Sequence, residues 1–382
     1  MSKAEEFIIK IDKEVLKDVK KRVKSYPWHE MPDDGGWEYG TNLNYMKNFC
    51  SYWVDEYDWR EQEKELNKQN NFIANIDGMN IHFIHEKGSG PDPQPLLLCH
   101  GWPGSIFEFI RIIEPLAHPE RFGGDSRDAF DVIVPSLPGF GFSDRPPRPF
   151  GPKKMSKIMN SLMTDILDYG NYFAQGGDWG AAICSWLGFE YPTYCKAIHI
   201  NFLTMRHPKG PKGPEEKEWA KKIEIDQIME NGYRTQQATK PQTLSYAMMD
   251  SPVGIAAWLI EKFNTWSDVK DNNIEEVHSK DSLLTNIMIY IVTRSFNSAS
   301  WIYYGRREEG GRVFSHEGNR VEVPTGCALF PAEMLAWPPR SYVEKLYNVI
   351  HWSEMDRGGH FAALEQPDLL IKDIQTFAKR VR

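Results

Sequence analysis

The sequence has no excess of basic residues and no long apolar run. Its 382 residues carry a formal net charge of −8, so nucleic acid is not an expected partner. The longest apolar run, Ile287 to Val292, is far too short to span a bilayer. The first residues, Met1 to Glu6, lack the apolar core of a signal peptide. We therefore expect no membrane anchor.

The sequence also lacks a cysteine pattern. Its five cysteines are an odd number without paired or metal-ligand spacing. This pattern favours a reducing compartment and no disulfide framework. We expect a soluble, cytoplasmic protein that uses neither a metal nor a cofactor. The cysteines are Cys50, Cys99, Cys184, Cys195 and Cys327.

What the sequence does contain is a short motif with a reactive residue at its centre. The β-prone run Tyr172 to Gln175 leads into Gly176-Gly177-Asp178-Trp179-Gly180, and a helix-prone run follows. Small residues two before and two after a reactive side chain are typical of a nucleophile elbow. A carboxylate at the centre, Asp178, suits attack on an sp³ carbon and leaves an ester for water to hydrolyse. The alternative is an ordinary Gly-rich turn in which an aspartate caps a helix.

The surrounding pattern predicts an α/β protein with a mostly parallel sheet. Continuous apolar runs such as Leu96 to Cys99 and Ala129 to Pro135 are typical of strands buried on both faces. They alternate with helical stretches, as in parallel sheets. Asp77-Gly78, between two alternating runs, predicts a hairpin. A Pro/Gly-rich stretch, residues 208–214, predicts a linker without regular structure.

These signals divide the chain into four predicted segments. An arm rich in aromatics must bury them against the core or against a second subunit, which makes a homodimer through arm and cap an expectation. A helical region rich in large apolar side chains is predicted to be a cap, or lid, inserted in the sheet. The segments are the arm (1–70), the first part of the core (71–205), the cap (206–312) and the second part of the core (313–382).

A histidine and an acid are expected to act with Asp178. His360 lies in a Gly-rich loop near the C-terminus, where α/β-hydrolases keep their histidine in the order nucleophile, acid, base. Glu333 follows the strand predicted to end near Phe330 and is the preferred acid. Asp356 competes with it, but the loop would have to fold back for its carboxylate to reach the imidazole.

Two backbone amides are expected to hold the oxyanion formed when the ester is hydrolysed. In this fold they belong to the residue after the nucleophile, Trp179, and to a loop after an earlier strand, here Trp102. A cis peptide at Trp102-Pro103 would aim the second donor, although trans is the usual state. The alternative is that Pro103-Gly104 is only a turn.

Together these motifs resemble the α/β-hydrolase-fold epoxide hydrolases, in the branch of the microsomal and related fungal enzymes. The resemblance rests on residues 100–105, 176–180 and 358–361, and it extends to the aromatic arm and the cap. It implies that Asp178 is the nucleophile, His360 the base and Glu333 its partner. It also implies an N-terminal arm, a role in detoxification and aromatic hydrocarbon catabolism, and no cofactor. The membrane anchor of the microsomal members is not implied here.

The resemblance further implies that two cap tyrosines, Tyr233 and Tyr303, donate protons to the opening epoxide. A phenol with a pKa near 10 stays protonated at neutral pH, so it can stabilise the alkoxide. Tyr304 and Tyr246 are alternatives that chemistry alone does not exclude. The expected substrates are water and a hydrophobic epoxide, aryl or long-chain, and the product is a vicinal diol.

Two other functions fit the same residues. A haloalkane or haloacid dehalogenase uses the same Asp, His and acid, but a leaving halide requires N–H donors such as indoles. A noncatalytic ligand-binding protein of this fold is the third alternative. Such proteins usually lack one member of the triad, and none is missing here.

Overall fold

The computed structural model of the chain describes residues 3–312 and 319–382. In that part the strands form one nine-stranded sheet with the order β1-β2-β3-β5-β4-β6-β7-β8-β9. The first three strands and the β3–β5 pair are antiparallel, and all pairs from β5 to β9 are parallel. The strands are β1 (Glu5–Glu6), β2 (Asn71–Ile76), β3 (Met79–Glu86), β4 (Gln94–Cys99), β5 (Phe130–Pro135), β6 (Tyr172–Gly176), β7 (Cys195–Ile200), β8 (Val321–Leu329) and β9 (Tyr347–Glu354).

Helices lie between β1 and β2, cover both faces of the sheet and separate β7 from β8. The helices are α1 (Lys13–Lys24), α2 (Leu43–Asp55), α3 (Trp59–Asn67), α4 (Ile110–Ala117), α5 (Pro152–Ser161), α6 (Asp178–Glu190), α7 (Gly213–Thr239), α8 (Pro241–Met248), α9 (Pro252–Trp266), α10 (Lys280–Val292), α11 (Phe296–Glu308), α12 (Arg340–Val343), α13 (Ala362–Glu365) and α14 (Pro367–Val381). No described helix is long and apolar enough to cross a membrane.

The central strands are apolar on both faces because helices cover both. In β4, Leu96 and Leu98 belong to one buried cluster with side chains of α4 and α14. Leu97 and Cys99 belong to the opposite cluster, which includes residues of α5 and α6. Successive side chains of a strand point to opposite faces, so the continuous apolar run fills two cores at once. The predicted α/β class and mostly parallel sheet are confirmed.

The hairpin and the linker illustrate how local sequence sets the elements. Asp77 and Gly78 have φ values of 51° and 82°, and Ile76 pairs with Met79 across the turn. The linker prediction was wrong at its end, because α7 begins at Gly213. Pro214 is compatible with the first helical turn, where its missing N–H leaves no hydrogen bond unmade.

The aromatic arm is buried within its own chain. Phe49, Trp53, Tyr57 and Trp59 are each at most 7% exposed and belong to the main apolar cluster. The hydroxyl of Tyr57 lies 3.2 Å from Oγ1 of Thr285 in α10. The arm therefore covers the helical region between β7 and β8 and leaves few of its aromatics for another surface. The predicted domain boundary at residue 313 lies outside the described residues.

Candidate active site

Asp178 lies at the sharp turn between β6 and α6. Its φ is 43°, a left-handed backbone conformation that residues with side chains seldom adopt. Backbone atoms on the two sides of this turn lie close to each other and to Cys99 at the end of β4. A Cβ on Gly180 would lie 1.8 Å from the carbonyl oxygen of Cys99, and one on Gly176 would lie 2.4 Å from the carbonyl carbon of Gly180. Only glycine fits at either position, so the turn presents the Asp178 side chain at the carboxyl end of the sheet.

The two carboxylate oxygens of Asp178 have different neighbours. Oδ1 accepts a hydrogen bond of 2.7 Å from the backbone N–H of Trp102. Oδ2 lies 3.6 Å from Nε2 of His360. One oxygen is thus fixed by the backbone, while the other faces the imidazole and the space above the turn.

His360 is held from its other side by Glu333. Nδ1 of His360 lies 2.6 Å from Oε1 of Glu333, and both side chains are buried. The backbone N–H of His360 donates to the carbonyl of Trp266, 2.9 Å away. Burial by itself lowers the pKa of His360, but the charges of Glu333 and Asp178 outweigh it and raise that pKa well above its ordinary value. Burial raises the pKa of Glu333 against the opposing effect of the imidazole.

Asp356, the alternative acid, lies elsewhere. Asp356 is exposed and makes no hydrogen bond to His360. The residue before it, Met355, donates its backbone N–H to the carbonyl of Leu329. Glu333 follows β8 as expected and is the carboxylate beside the imidazole. The loop does not fold back, so the geometry agrees with the preferred assignment.

The two expected oxyanion donors are backbone amides close to Asp178. The Trp102-Pro103 peptide is cis, and the Trp102 N–H already binds Oδ1 of Asp178. Trp179 is the second residue of α6. Amides in the first turn of a helix have no intrahelical acceptor, so its N–H is available beside the carboxylate.

Tyr233 of α7 and Tyr303 of α11 lie over this carboxylate. Their ring centroids are 5.7 Å apart with nearly perpendicular planes. The Tyr233 ring stacks on Trp102 at 5.2 Å, and the Tyr303 ring meets Trp179 edge-on at 4.7 Å. Burial raises the pKa of both phenols, and the charge of Asp178 adds to the effect. Both hydroxyls therefore stay protonated and can donate.

The alternative tyrosines do not approach this group. Tyr246 is 75% exposed. Tyr304 points to a separate surface cavity with Trp301, under the guanidinium of Arg307 at 4.4 Å. Of the cap tyrosines considered from the sequence, Tyr233 and Tyr303 are the two that border the space above Asp178.

That space is a narrow cavity between the core and the α7–α11 helices. It encloses about 500 Å³ of empty space including its open end, but the centre of a water molecule fits within only about 30 Å³ of it. No group of three His, Cys, Asp or Glu side chains in the described residues is arranged to hold a metal. The cavity is bordered by Asp178, Trp179, Phe202, Leu203, Thr204, Gln227, Glu230, Asn231, Tyr233, Arg234, Tyr303, Arg306, Arg312, Met334 and Leu335.

Sequence reasoning missed Glu108 and the cavity arginines. Glu108 is 8% exposed and lies near the pair formed by His360 and Asp178. Burial raises the pKa of its carboxyl to about 8, against the charge of His360 and with that of Asp178. The available signal was an acid within the apolar run Ile106 to Ile110, directly after the Trp102 loop. The cavity arginines gave no signal, because they lie on α7, on α11 and in the residues that follow α11, among many other charges.

Comparison with known proteins first identifies the class of fold. Residues 94–207 match the sequence family described as alpha/beta hydrolase fold, and residues 4–109 match the family described as epoxide hydrolase N terminus. The structure of Aspergillus niger epoxide hydrolase superposes with a TM-score of 0.86 at 29% identity, covering 100% of this chain and 97% of that one. The architecture around Asp178 is thus that of an α/β-hydrolase.

The relatives define the family. Epoxide hydrolase 1 of Sus scrofa is 37% identical over 97% of this chain and 87% of its own length. The crystal structure of juvenile hormone epoxide hydrolase from the silkworm Bombyx mori has a TM-score of 0.88 at 30% identity, covering 100% of this chain and 95% of that one. The chain belongs to the epoxide hydrolase family, and it is an enzyme.

Proposed function

We propose that this epoxide hydrolase converts hydrophobic epoxides to vicinal diols through a covalent ester on Asp178. The observation that carries the proposal is the different environment of the two carboxylate oxygens. One is bound to the Trp102 amide, and the other faces His360 below two buried phenols. Residues 206–312 would act as the cap that brings the phenols over the nucleophile.

In the first step Oδ2 of Asp178 attacks an epoxide carbon and the ring C–O bond breaks. The released oxygen takes a proton from Tyr233 or Tyr303, and the tyrosinate is reprotonated in the second step by the proton that His360 takes from water. Preorganised donors aimed at developing charge are the strongest contribution that such a site makes. Both phenols are buried and packed against aromatic rings, so the hydrogen bond to the developing alkoxide forms in a region of low dielectric.

In the second step water attacks the ester carbon while Nε2 of His360 takes its proton. The oxyanion forms on Oδ1, where the amides of Trp102 and Trp179 hold it. Ester formation removes the charge of Asp178, which is one of the charges that raise the pKa of His360. Loss of this charge lowers the pKa of His360 and so favours the neutral imidazole at the stage at which a base is needed.

A dehalogenase is the second candidate, because one observation favours it. The indole N–H groups of Trp102 and Trp179 are buried and make no hydrogen bond of normal geometry within the described residues. Indole donors of this kind suit a leaving halide. Incubation with a chloroalkane and with an epoxide of equal carbon number distinguishes the two candidates: we expect diol from the epoxide and no halide release.

A single turnover in ¹⁸O-labelled water, with enzyme in excess, tests the mechanism. We expect unlabelled diol and one labelled oxygen in the peptide that contains Asp178, because water attacks the ester carbonyl and the C–O bond to the substrate is kept. A mock reaction without epoxide controls for exchange. Labelled diol together with an unlabelled peptide would show direct hydration and would exclude Asp178 as the nucleophile.

We further propose a homodimer and cytoplasmic residence. Because the arm aromatics are covered, support for the dimer comes from exposed apolar side chains on α7: Ile225, Ile228 and Met229 are 57%, 71% and 86% exposed. Sedimentation of the enzyme and of Met229→Glu tests it, and a monomer in both contradicts it.

Cytoplasmic residence is supported by five unpaired cysteines, and fractionation of the source cells tests it.

A further inference from the structure

Arg306 lies on α11 three residues after Tyr303, so the two side chains lie on the same side of the helix. The Arg306 guanidinium lies 4.8 Å from the centre of the Trp179 ring. The same ring meets the Tyr303 ring edge-on, with 4.7 Å between the centroids. Trp179 therefore contacts both a cation and one of the two proposed proton donors.

Arg306 is partly buried and has no carboxylate partner among the described residues. Glu230, on the same cavity wall, binds Nζ of Lys262 at 3.2 Å, and Asp178 is held by the Trp102 amide. Burial lowers the pKa of Arg306 to about 10. Because a buried cation without a counterion costs free energy, charge pairing does not explain why an arginine lies here.

The proposed reaction requires positive charge at this place. When the epoxide opens, the phenol that gives up its proton is left with a negative charge. Burial raises the pKa of Tyr303 well above its ordinary value, and the charge of Asp178 adds to the rise, whereas a contact with the Trp179 indole opposes it. A buried phenol is a weak acid unless a positive charge lies close to it.

Two more arginines border the cavity and act on the other phenol. Arg234 of α7 donates to the side-chain oxygen of Asn231 at 2.7 Å, and Arg312 follows α11. Burial raises the pKa of Tyr233, and the charges of Arg234 and Arg312 act in the opposite direction. Burial also lowers the pKa of Arg312. The cavity thus places positive charge near both phenols, and Arg306 is the arginine that contacts the indole beside Tyr303.

We propose that Arg306 is a positioning residue for ring opening: held against the Trp179 indole, its cation stabilises the negative charge that develops on Tyr303. A cation over an indole is attracted to the negative face of the ring, which keeps Trp179 against the phenol. In this step the bond from Asp178 to carbon forms, the ring C–O bond breaks, and the phenolic proton moves to the released oxygen. Ester hydrolysis later returns a proton to Tyr303. The inference rests on the proposed function, because it deepens the first step of that mechanism.

Single-turnover kinetics with styrene oxide test the role of the charge, because ester formation and ester hydrolysis are measured separately. We expect Arg306→Gln to slow alkylation roughly tenfold to a hundredfold, the size of one partly buried charge interaction, without slowing ester hydrolysis. Arg306→Lys should restore most of the lost rate, since it keeps the charge. Arg307→Gln is the matched control, because Arg307 follows directly on α11 but lies 4.4 Å from the centre of the Tyr304 ring, outside the cavity.

The route through Tyr303 is tested in two backgrounds. Tyr233→Phe leaves Tyr303 as the remaining phenol, so Arg306→Gln should slow alkylation there at least as much as in the wild type. Tyr303→Phe removes the group that Arg306 is proposed to assist, so the same change should cost about twofold or less. An equal loss in both backgrounds would show that Arg306 does not act through Tyr303 and would overturn the inference.

The conservative variant distinguishes a role of the charge from a structural role. Equal slowing by Arg306→Gln and Arg306→Lys, or no slowing of alkylation by Arg306→Gln, would overturn the inference. If the wild-type enzyme forms the ester and the diol, the proposed function then stays intact, whereas a wild type that forms no ester contradicts both. Arg306→Met, which keeps an apolar chain over the indole, replaces the Gln variant if that variant does not fold.

Discussion

Two buried clusters among the described residues pair a carboxylate with imidazole, and the first of them borders the cavity above Asp178. In the first, Glu333 binds Nδ1 of His360 at 2.6 Å. In the second, Asp373 of α14 accepts from Nε2 of His199 and of His351, at 2.8 Å each. Distances and burial are nearly the same in the two clusters. Burial and pairing alone therefore do not make a reactive site.

The difference lies in the second nitrogen of each ring. Nε2 of His360 faces Asp178, which borders the cavity. The Nδ1 atoms of His199 and His351 are buried without a partner in the described residues, and both rings pack on Phe377. A titratable cluster can do chemistry only where a reactant can reach the free nitrogen. The second cluster is closed and has a structural role.

Replacing one histidine in each cluster should give the largest difference between the two clusters. His360→Gln should lower steady-state diol formation by about ten-thousandfold, because the proposed base of the second step is lost. The intact protein should then gain the mass of one substrate. His351→Gln should keep its activity and lose about 1–3 kcal/mol of unfolding free energy. A folded but inactive His351→Gln variant would show that the second cluster has a functional role.

The two proposed proton donors, Tyr233 and Tyr303, provide the next test, since the cluster of Asp373 has no counterpart to them. The double change Tyr233→Phe and Tyr303→Phe should slow alkylation about a thousandfold. Each single change should cost much less, because the remaining phenol partly compensates. Stopped-flow measurement of ester formation checks this, with the peripheral Tyr304→Phe as control. An unchanged alkylation rate in the double variant would place the acid elsewhere.

Glu333→Gln tests how the charge of Glu333 affects the reactivity of His360. The charge of Glu333 raises the pKa of His360, so its removal should lower that pKa. Ester hydrolysis requires neutral imidazole, and its acid limb should therefore move to lower pH. The maximum rate should fall roughly a hundredfold. An acid limb that stays in place would mean that another group is the base.

Asp373→Asn tests the closed cluster through stability. Hydrogen bonds from His199 and His351 outweigh burial and hold the pKa of Asp373 well below its usual range. A depressed pKa stabilises the folded state above the unfolded value of 3.8, and this contribution is lost as the pH falls through the folded value. The variant should lose about 2 kcal/mol at pH 7, and less below about pH 4.

Urea unfolding across this pH range measures the difference between the two proteins. Asp226→Asn, an exposed position on α7, is the control and should change little. A loss from Asp373→Asn that stays constant down to low pH would indicate lost packing instead of lost charge.

Glu108→Gln should have the smallest effect. With a pKa of about 8, Glu108 is neutral at pH 7 and ionises above pH 8. Its new charge should then favour protonated His360 and slow ester hydrolysis. We expect the wild-type rate to decline a few-fold above about pH 8 and the decline to be absent in Glu108→Gln. The same decline in both proteins would assign it to another group.

The parts of this architecture that local sequence could predict are those set by local rules. Apolar runs marked the strands, and the small residues around Asp178 marked the elbow. Chain order and strand ends led to His360 and Glu333 and disfavoured Asp356. For the strands and the elbow the information lay within a few residues of the element, whereas His360 and Glu333 also required the order of the motifs along the chain.

The rest depends on contacts between distant segments. Glu108 acquires its altered pKa from residues far along the chain, and the charge at Arg306 and Arg312 is unusual only because nearby acids have other partners. Asp373, His199 and His351 join α14, β7 and β9 in the second cluster, and no spacing in the sequence predicts this contact. Such features follow from the assembled tertiary structure and not from any one stretch.

In the proposed mechanism, the unequal environment of the two Asp178 oxygens determines which of them carries isotope from the solvent after each turnover. The Trp102 amide holds Oδ1, so in the proposed mechanism the oxygen transferred to the diol is always the one that faces His360, and solvent replaces it at that same position. In ¹⁸O-labelled water the first diol should be unlabelled and the second fully labelled. If the carboxylate flipped between turnovers, the second diol would be half labelled. The isotope content of successive products thus measures how often the Asp178 carboxylate rotates and exchanges its two oxygens between turnovers.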